Sequence, residues 1–123
     1  MYSVSIETHF SAAHLLRNYK GKCENLHGHN WKVFASIFRK RLDSKGMVID
    51  FKEFKKKLNE VLKTLDHSYL NEIDYFKKKN TTSENIAEYI HKQLKIRLKS
   101  IDYDRLEVTV WETEDSSATF FEK

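Results

Sequence analysis

His27 and His29 stand two residues apart in the run Cys23-Glu24-Asn25-Leu26-His27-Gly28-His29-Asn30. Side chains of an extended chain alternate between faces, so both imidazoles point the same way. At roughly 3.3 Å per residue they lie about 6 to 7 Å apart along the strand, near enough to converge on one ion. Gly28 between them leaves the opposite face bare and allows close approach of another backbone. His14 closes the run Phe10-Ser11-Ala12-Ala13-His14, and antiparallel pairing of the two segments would return it beside His27 and His29. Three neutral imidazoles suit zinc at about 2.0–2.1 Å and leave one coordination position open for a substrate. His9 and His91 lack such company and are read as surface or core residues.

Three further sites carry chemistry of a more ambiguous kind. Cys23 is the single cysteine; it is either a small buried apolar residue or, in a polar loop beside Lys22, a thiol whose ionisation a nearby cation promotes. Asp66-His67 is either a pair of turn residues or a histidine held by a carboxylate and able to exchange protons with Cys23 or a substrate. Glu112, in Val110-Trp111-Glu112-Thr113, is either a solvent-facing carboxylate or a bidentate acceptor for a planar, guanidine-like edge.

These residues need a scaffold, and the chain is the right size for one domain spanning 1–123. Its 123 residues are 40% hydrophobic and include sixteen aromatics, enough for a core. The net charge is +4, with the lysines of 52–57 and 77–79 interleaved with acids such as Glu53, Glu60 and Asp74. That pattern describes solvated helix faces rather than a nucleic-acid surface, while a mild positive excess steers anionic small molecules inward. One cysteine excludes an internal disulfide framework. Neither a signal peptide nor a membrane-spanning run is visible, so the expectation is a soluble cytoplasmic protein without membrane or nucleic-acid partners.

Alternation of Val4, Ile6 and Thr8 with Ser3, Ser5 and Glu7 predicts a strand from Tyr2 to about Phe10. A polar loop spans Arg17 to Asn25. A second strand, His29 to Arg39, carries Trp31, Val33, Ala35 and Ile37 on one side. Met47-Val48-Ile49 reads as a short strand-like run after a turn. Asp50 with Glu53 has capping-box spacing and opens a helix along Phe51, Phe54, Leu58, Val61, Leu62 and Leu65. A second helix starts near Thr81 or Thr82, where Thr81 and Glu84 have the same spacing, and is striped by Ile86, Ala87, Ile90, Leu94 and Leu98. Leu106, Val108 and Val110 mark a third strand, and Ala118 to Glu122 a fourth. The order ββααββ predicts an α+β fold: a four-stranded antiparallel sheet with two helices on one face. The other face is left open, and a second subunit is its natural cover.

Six motifs in this order resemble the 6-pyruvoyl-tetrahydropterin synthase / 6-carboxy-tetrahydropterin synthase family: Phe-Ser-Ala-Ala-His ending at His14, Cys-x3-His-Gly-His over Cys23–His29, Val48-Ile49-Asp50-Phe51, Leu65-Asp66-His67 with Leu70-Asn71, Thr82-Ser83-Glu84-Asn85 with Ala87, and Glu112-Thr113. The resemblance covers nearly the whole chain. It implies a tunnelling fold, whose subunits join their sheets into a barrel, commonly as a homohexamer built from two trimers. It implies Zn2+ on His14, His27 and His29. Cys23, Asp66 and His67 match a catalytic relay completed across a subunit boundary. Glu112 matches the acid that anchors a pterin ring, helped by Thr82, Ser83 and Glu84.

The substrate so implied is 7,8-dihydroneopterin triphosphate. Three residues between Cys23 and His27 resemble the carboxy-forming branch, a carbon–carbon lyase that releases acetaldehyde and triphosphate on the route to queuosine and other 7-deazaguanines. The pyruvoyl-forming branch and a non-catalytic zinc- or pterin-binding module of the same fold are the alternatives. No glutamate replaces Cys23, which argues against the variant branch that feeds folate synthesis. Asn80 stands where bacterial members often have proline. Lys22 and Arg17 are candidate triphosphate contacts on charge grounds alone.

Overall fold

A computed structural model describes residues 1–19 and 25–123 of the chain. Two long strands, β1 (Tyr2–His14) and β2 (His27–Arg39), are followed by helix α1 (Phe51–Leu62), a two-residue strand β3 (Ser68–Tyr69), helix α2 (Ser83–Arg97), and strands β4 (Arg105–Thr113) and β5 (Ser116–Phe121). The sheet order is β3-β1-β2-β4-β5. All the long pairs are antiparallel, and β3 alone runs parallel to its neighbour β1. The α+β architecture with two helices on one face is as the hydrophobic periodicity predicts, with β3 added at one edge.

Every second residue of the three central strands enters one core. Ile6, Phe10 and Ala12 of β1, Trp31, Val33, Ala35 and Ile37 of β2, and Leu106, Val108 and Val110 of β4 are all buried. α1 packs on β1, and α2 on β4 and β5, through Phe54, Leu58, Val61 and Leu62 of the first helix and Ile86, Ala87, Ile90 and Leu94 of the second. Each such side chain withdrawn from water contributes about 1.5–3 kcal/mol. On the outer face, hydroxyls pair across strands, Ser5 with Ser36 and Thr109 with Thr119, both at 2.7 Å and both exposed. No helix among the described residues is long and apolar enough to cross a membrane.

Three local expectations change. Met47-Val48-Ile49 forms no strand, because Asp43 curls the chain: its carboxylate accepts from the backbone N–H groups of Met47 and Lys45. Those same donors hold the Asp43 carboxyl below its ordinary pKa. Gly46 supplies the left-handed step (φ +80°) that the turn requires. The first strand runs on past Phe10 to His14, because Ala12-Ala13 is paired on both sides, by β2 and by β3. The second helix is capped by Thr82, whose side chain accepts from Asn85 N–H. Thr81 turns inward instead and is fully buried. Asp50 caps α1 as its spacing predicts, accepting from Lys52 and Glu53.

Candidate metal centre

The buried stripe of the sheet does not end in apolar residues at one end; it ends in imidazoles. The β1–β2 register places His14 opposite His27 and Ala12 opposite His29, so the fold closes the triad that the His-x-His spacing requires. Trp31 is the floor. Its ring meets His14 edge-on at 4.9 Å and His29 at 5.3 Å between centroids, and its indole N–H donates to the Ala12 carbonyl. The three imidazole centroids are 4.6–5.3 Å apart.

Glu112 joins them from β4. A register irregularity between Trp111 and Thr113 interrupts the β4–β5 ladder at this residue, and such bulges re-aim side chains. Glu112 Oε1 lies 3.1 Å from His14 Nε2, 2.9 Å from His29 Nε2 and 3.9 Å from His27 Nε2. One ligand atom from each of the four residues falls within 4.8 Å of all the others.

The outer ring nitrogens decide which way the lone pairs face. His14 Nδ1 is 2.8 Å from the Thr81 carbonyl, and His27 Nδ1 is 2.8 Å from the Asn25 carbonyl. A carbonyl only accepts, so both Nδ1 atoms carry a proton and both rings turn Nε2 toward Glu112. His29 Nε2 is buried with no well-directed hydrogen bond, although the Glu112 oxygen is 2.9 Å away. Burial draws the pKa of His29 below its ordinary value, with the Glu112 charge opposing and His27 and His14 adding to the fall. Nitrogen lone pairs and a carboxylate oxygen facing one another repel unless a proton or a metal cation lies among them. The donor set fits a divalent metal held by His14, His27 and His29, with backbone carbonyls fixing two of the rings from behind.

Thr81 went unnoticed in the sequence except as a helix cap. Its hydroxyl donates to the Leu15 carbonyl at 3.0 Å while its own carbonyl takes the His14 proton. Two asparagines fasten the same segment. Asn71 pairs with both backbone groups of Leu15, and Asn80 with both of Arg17. Asn80 thus does what a proline, lacking a side-chain amide, cannot. The Arg17 guanidinium donates to the carbonyls of Phe76 and Lys79, which makes it a backbone clamp.

Asp66 and His67 dock on the edge of β1. The Asp66 carboxylate accepts from Ser11 N–H at 2.8 Å, and His67 N–H donates to the Ser11 carbonyl, leading into the β3 pairing. His67 is held at φ 54°, its side chain 83% exposed and 3.5 Å from Asp66. It lines a depression of about 370 Å³ with Ser11, Ala12, Gly28, His29 and Asn30. A Cβ built at Gly28 would meet nothing within 4 Å, so no close backbone approach is made there by the described residues. Thr82, Ser83 and Glu84 form the cap and first turn of α2, directly after Thr81. Cys23 and Lys22 lie outside the described residues.

The likeness to known proteins matches this arrangement. A sequence model described as 6-pyruvoyl tetrahydropterin synthase matches residues 3–123. A 6-carboxy-5,6,7,8-tetrahydropterin synthase of Synechocystis sp. is 38% identical over 99 residues, covering 76% of this chain and 75% of its own. The 6-pyruvoyl tetrahydrobiopterin synthase of Homo sapiens is 33% identical over 132 residues, covering 95% of this chain and 89% of its own. The solved 6-pyruvoyl tetrahydropterin synthase of Caenorhabditis elegans superimposes with a TM-score of 0.81 at 35% identity, over 100% of this chain and 98% of that one. The chain is therefore a member of the 6-pyruvoyl tetrahydropterin synthase family, and its histidine–glutamate cluster is a site able to hold a metal ion.

Proposed function

We propose that the protein is a zinc-dependent carbon–carbon lyase of the 6-carboxy-5,6,7,8-tetrahydropterin synthase type, acting on 7,8-dihydroneopterin triphosphate in the cytoplasm on the route to queuosine-type 7-deazaguanines. The observation that carries the reading is the convergence of the Nε2 atoms of His14 and His27, each ring fixed by a carbonyl behind it, with the Nε2 of His29, which has no well-directed hydrogen bond. Support for the carboxy-forming branch comes from the three residues between Cys23 and His27 and from relatives such as the Synechocystis protein.

In this reading His14, His27 and His29 hold the metal and Trp31 keeps their faces dry. When bound, zinc supplies Lewis-acid polarisation of the substrate's side-chain hydroxyls. The Glu112 carboxylate accepts the planar N–H edge of the pterin, with Thr82, Ser83 and Glu84 as neighbouring contacts. Cys23 and His67 carry protons to and from the side-chain carbons, and Asp66 orients His67. The exposure of His67 and the open outer face of the sheet suit a site completed between subunits of a homohexamer, a dimer of trimers.

Relatives named for the pyruvoyl-forming reaction favour a second reading, with the same residues and a retained side chain. Incubating the purified protein with 7,8-dihydroneopterin triphosphate and assaying acetaldehyde separates the two. Acetaldehyde with 6-carboxytetrahydropterin is the expected outcome. A pyruvoyl product without acetaldehyde overturns the first reading, and no product with either metal-loaded or apoprotein overturns both.

A further inference from the structure

His91, on α2, is only 2% exposed, and its Nδ1 has no hydrogen-bond partner among the described residues. Its Nε2–H goes to the Leu106 carbonyl at 3.1 Å, and a carbonyl only accepts, so the proton of the neutral ring is fixed on Nε2. Burial draws the pKa of this ring below its ordinary value, which keeps it neutral at pH 7. Nδ1 is therefore a buried acceptor waiting for a donor, a state that costs desolvation energy until one arrives.

The same ring lines a cavity of about 190 Å³ together with buried Leu106, half-buried Tyr103 and the exposed pair Lys95 and Glu122. Most of the charged groups around it are already engaged. Lys95 pairs with Glu122 at 2.7 Å, Arg105 with Glu107, and Asp104 accepts from the Lys40 N–H. Tyr103 is different: its hydroxyl makes no hydrogen bond among the described residues. Burial raises its pKa, with Glu122 adding and Lys95 opposing, so the hydroxyl keeps its proton. Two polar groups are thus left over, an acceptor on His91 and a donor on Tyr103. One water needs roughly 10–15 Å³, whereas a cavity of about 150 Å³ admits a single ring.

We propose that this cavity is a second binding site, for a single-ring molecule that carries an amide N–H and its C=O side by side, as a lactam does. The N–H donates to His91 Nδ1, the C=O accepts from Tyr103 O–H, and the apolar remainder of the ring meets Leu106. The site stands apart from the metal centre. Leu106 precedes Glu112 by six positions on β4, roughly 20 Å along a strand. Nothing in the inference depends on the reaction proposed above, and its test needs no turnover.

The test is a titration of the 15N-labelled protein with 2-pyrrolidone, followed by long-range 1H–15N correlation of the histidine rings. The His91 Nδ1 resonance is expected to move upfield and to saturate in the millimolar range usual for so small a ligand. The resonances of His14, His27 and His29 should stay in place. N-methyl-2-pyrrolidone has the same ring and carbonyl but no N–H, and should leave His91 Nδ1 unmoved. Tyr103→Phe keeps the aromatic wall and should weaken binding about fivefold, the loss of one hydrogen bond. His91→Phe should abolish saturable binding, read from the Tyr103 ring signals; if that variant does not fold, Tyr103→Phe and the N-methyl control carry the comparison. The proposal is overturned by an unsaturated or absent shift, by an equal response to the N-methyl compound, or by unchanged affinity in Tyr103→Phe. A His91 Nδ1 that resonates at the hydrogen-bonded position before any lactam is added, and does not move, overturns it in favour of a resident water.

Discussion

His14 Nδ1 lies 2.8 Å from the carbonyl oxygen of Thr81, and the pair is buried although the two lie 67 positions apart in the chain. Through this contact the segment that opens α2 sets the tautomer of a ring on β1. The Thr81 hydroxyl, 3.2 Å from the same nitrogen, donates to Leu15 and so braces the turn that offers the carbonyl.

Thr81→Val keeps the carbonyl and removes the brace. It is expected to cost about 1 kcal/mol of stability, the net worth of one hydrogen bond, and to weaken zinc binding by about tenfold through a looser His14 ring. Chelator competition and a denaturant titration measure the two effects. Unchanged zinc affinity would mean that the backbone carbonyl alone sets the ring.

Cys23→Ala is expected to lower kcat by a factor on the order of 10² to 10⁴, the usual contribution of a positioned proton-transfer group, while leaving zinc content unchanged. Metal analysis alongside turnover checks both halves. Full activity in the variant would remove the thiol from the chemistry.

His67 sits at φ 54°, a region that costs an L-residue roughly 1–2 kcal/mol and glycine almost nothing. His67→Gly should therefore be more stable than His67→Ala by about 1 kcal/mol in urea unfolding, and both should lose turnover. Equal stabilities would show that the left-handed backbone carries no strain.

His91 is buried on α2, its Nε2–H donating to the Leu106 carbonyl at 3.1 Å and its ring edge-on to Phe120. Burial is the main cause that lowers its pKa below 6.5; Leu106, Glu122 and Glu88 oppose the shift and Lys95 assists it. Below about pH 6.5 the unfolded chain binds this proton more readily than the folded one. Stability therefore rises with pH up to that point and falls as the solution is acidified through it. Urea midpoints taken between pH 7.5 and 5 should have a smaller slope in His91→Leu than in wild type. Equal slopes would rule out His91 as a source of acid sensitivity.

Asp50 accepts from the backbone N–H groups of Lys52 and Glu53 at the start of α1. Asp50→Ala is expected to cost about 1 kcal/mol, as loss of an N-cap does, and to lower Tm by about 4 °C in calorimetry. An unchanged Tm would assign the helix start to packing of Phe54 and Leu58 alone.

The strands and helices were legible wherever one face repeats. Val4-Ile6, Trp31 to Ile37 and Leu106 to Val110 alternate with period two, and Phe54-Leu58-Val61 follows the helical period, so burial could be read from spacing. Met47-Val48-Ile49 misled because three apolar residues carry no period, and Asp43 and Gly46 curl them into a turn. The pair Ser68–Tyr69 has too little pattern to announce a strand; it exists because Asp66 and His67 first dock on Ser11.

The sequence by itself determined that His27 and His29 share a face, since a two-residue offset on a strand permits nothing else, and that six motifs stand in the order of one family. Only the tertiary structure decided where the fourth donor comes from. Glu112 lies 98 positions from His14, and no local periodicity relates them. Their meeting depends on the β1–β2 and β2–β4 registers and on the β4–β5 irregularity. The same holds for Thr81: spacing marked it as a helix cap, but Thr82 takes that role and folding turns Thr81 into the partner of His14. Spacing along a chain fixes which side chains share a face, whereas contacts between distant segments depend on registers that only the assembled core selects.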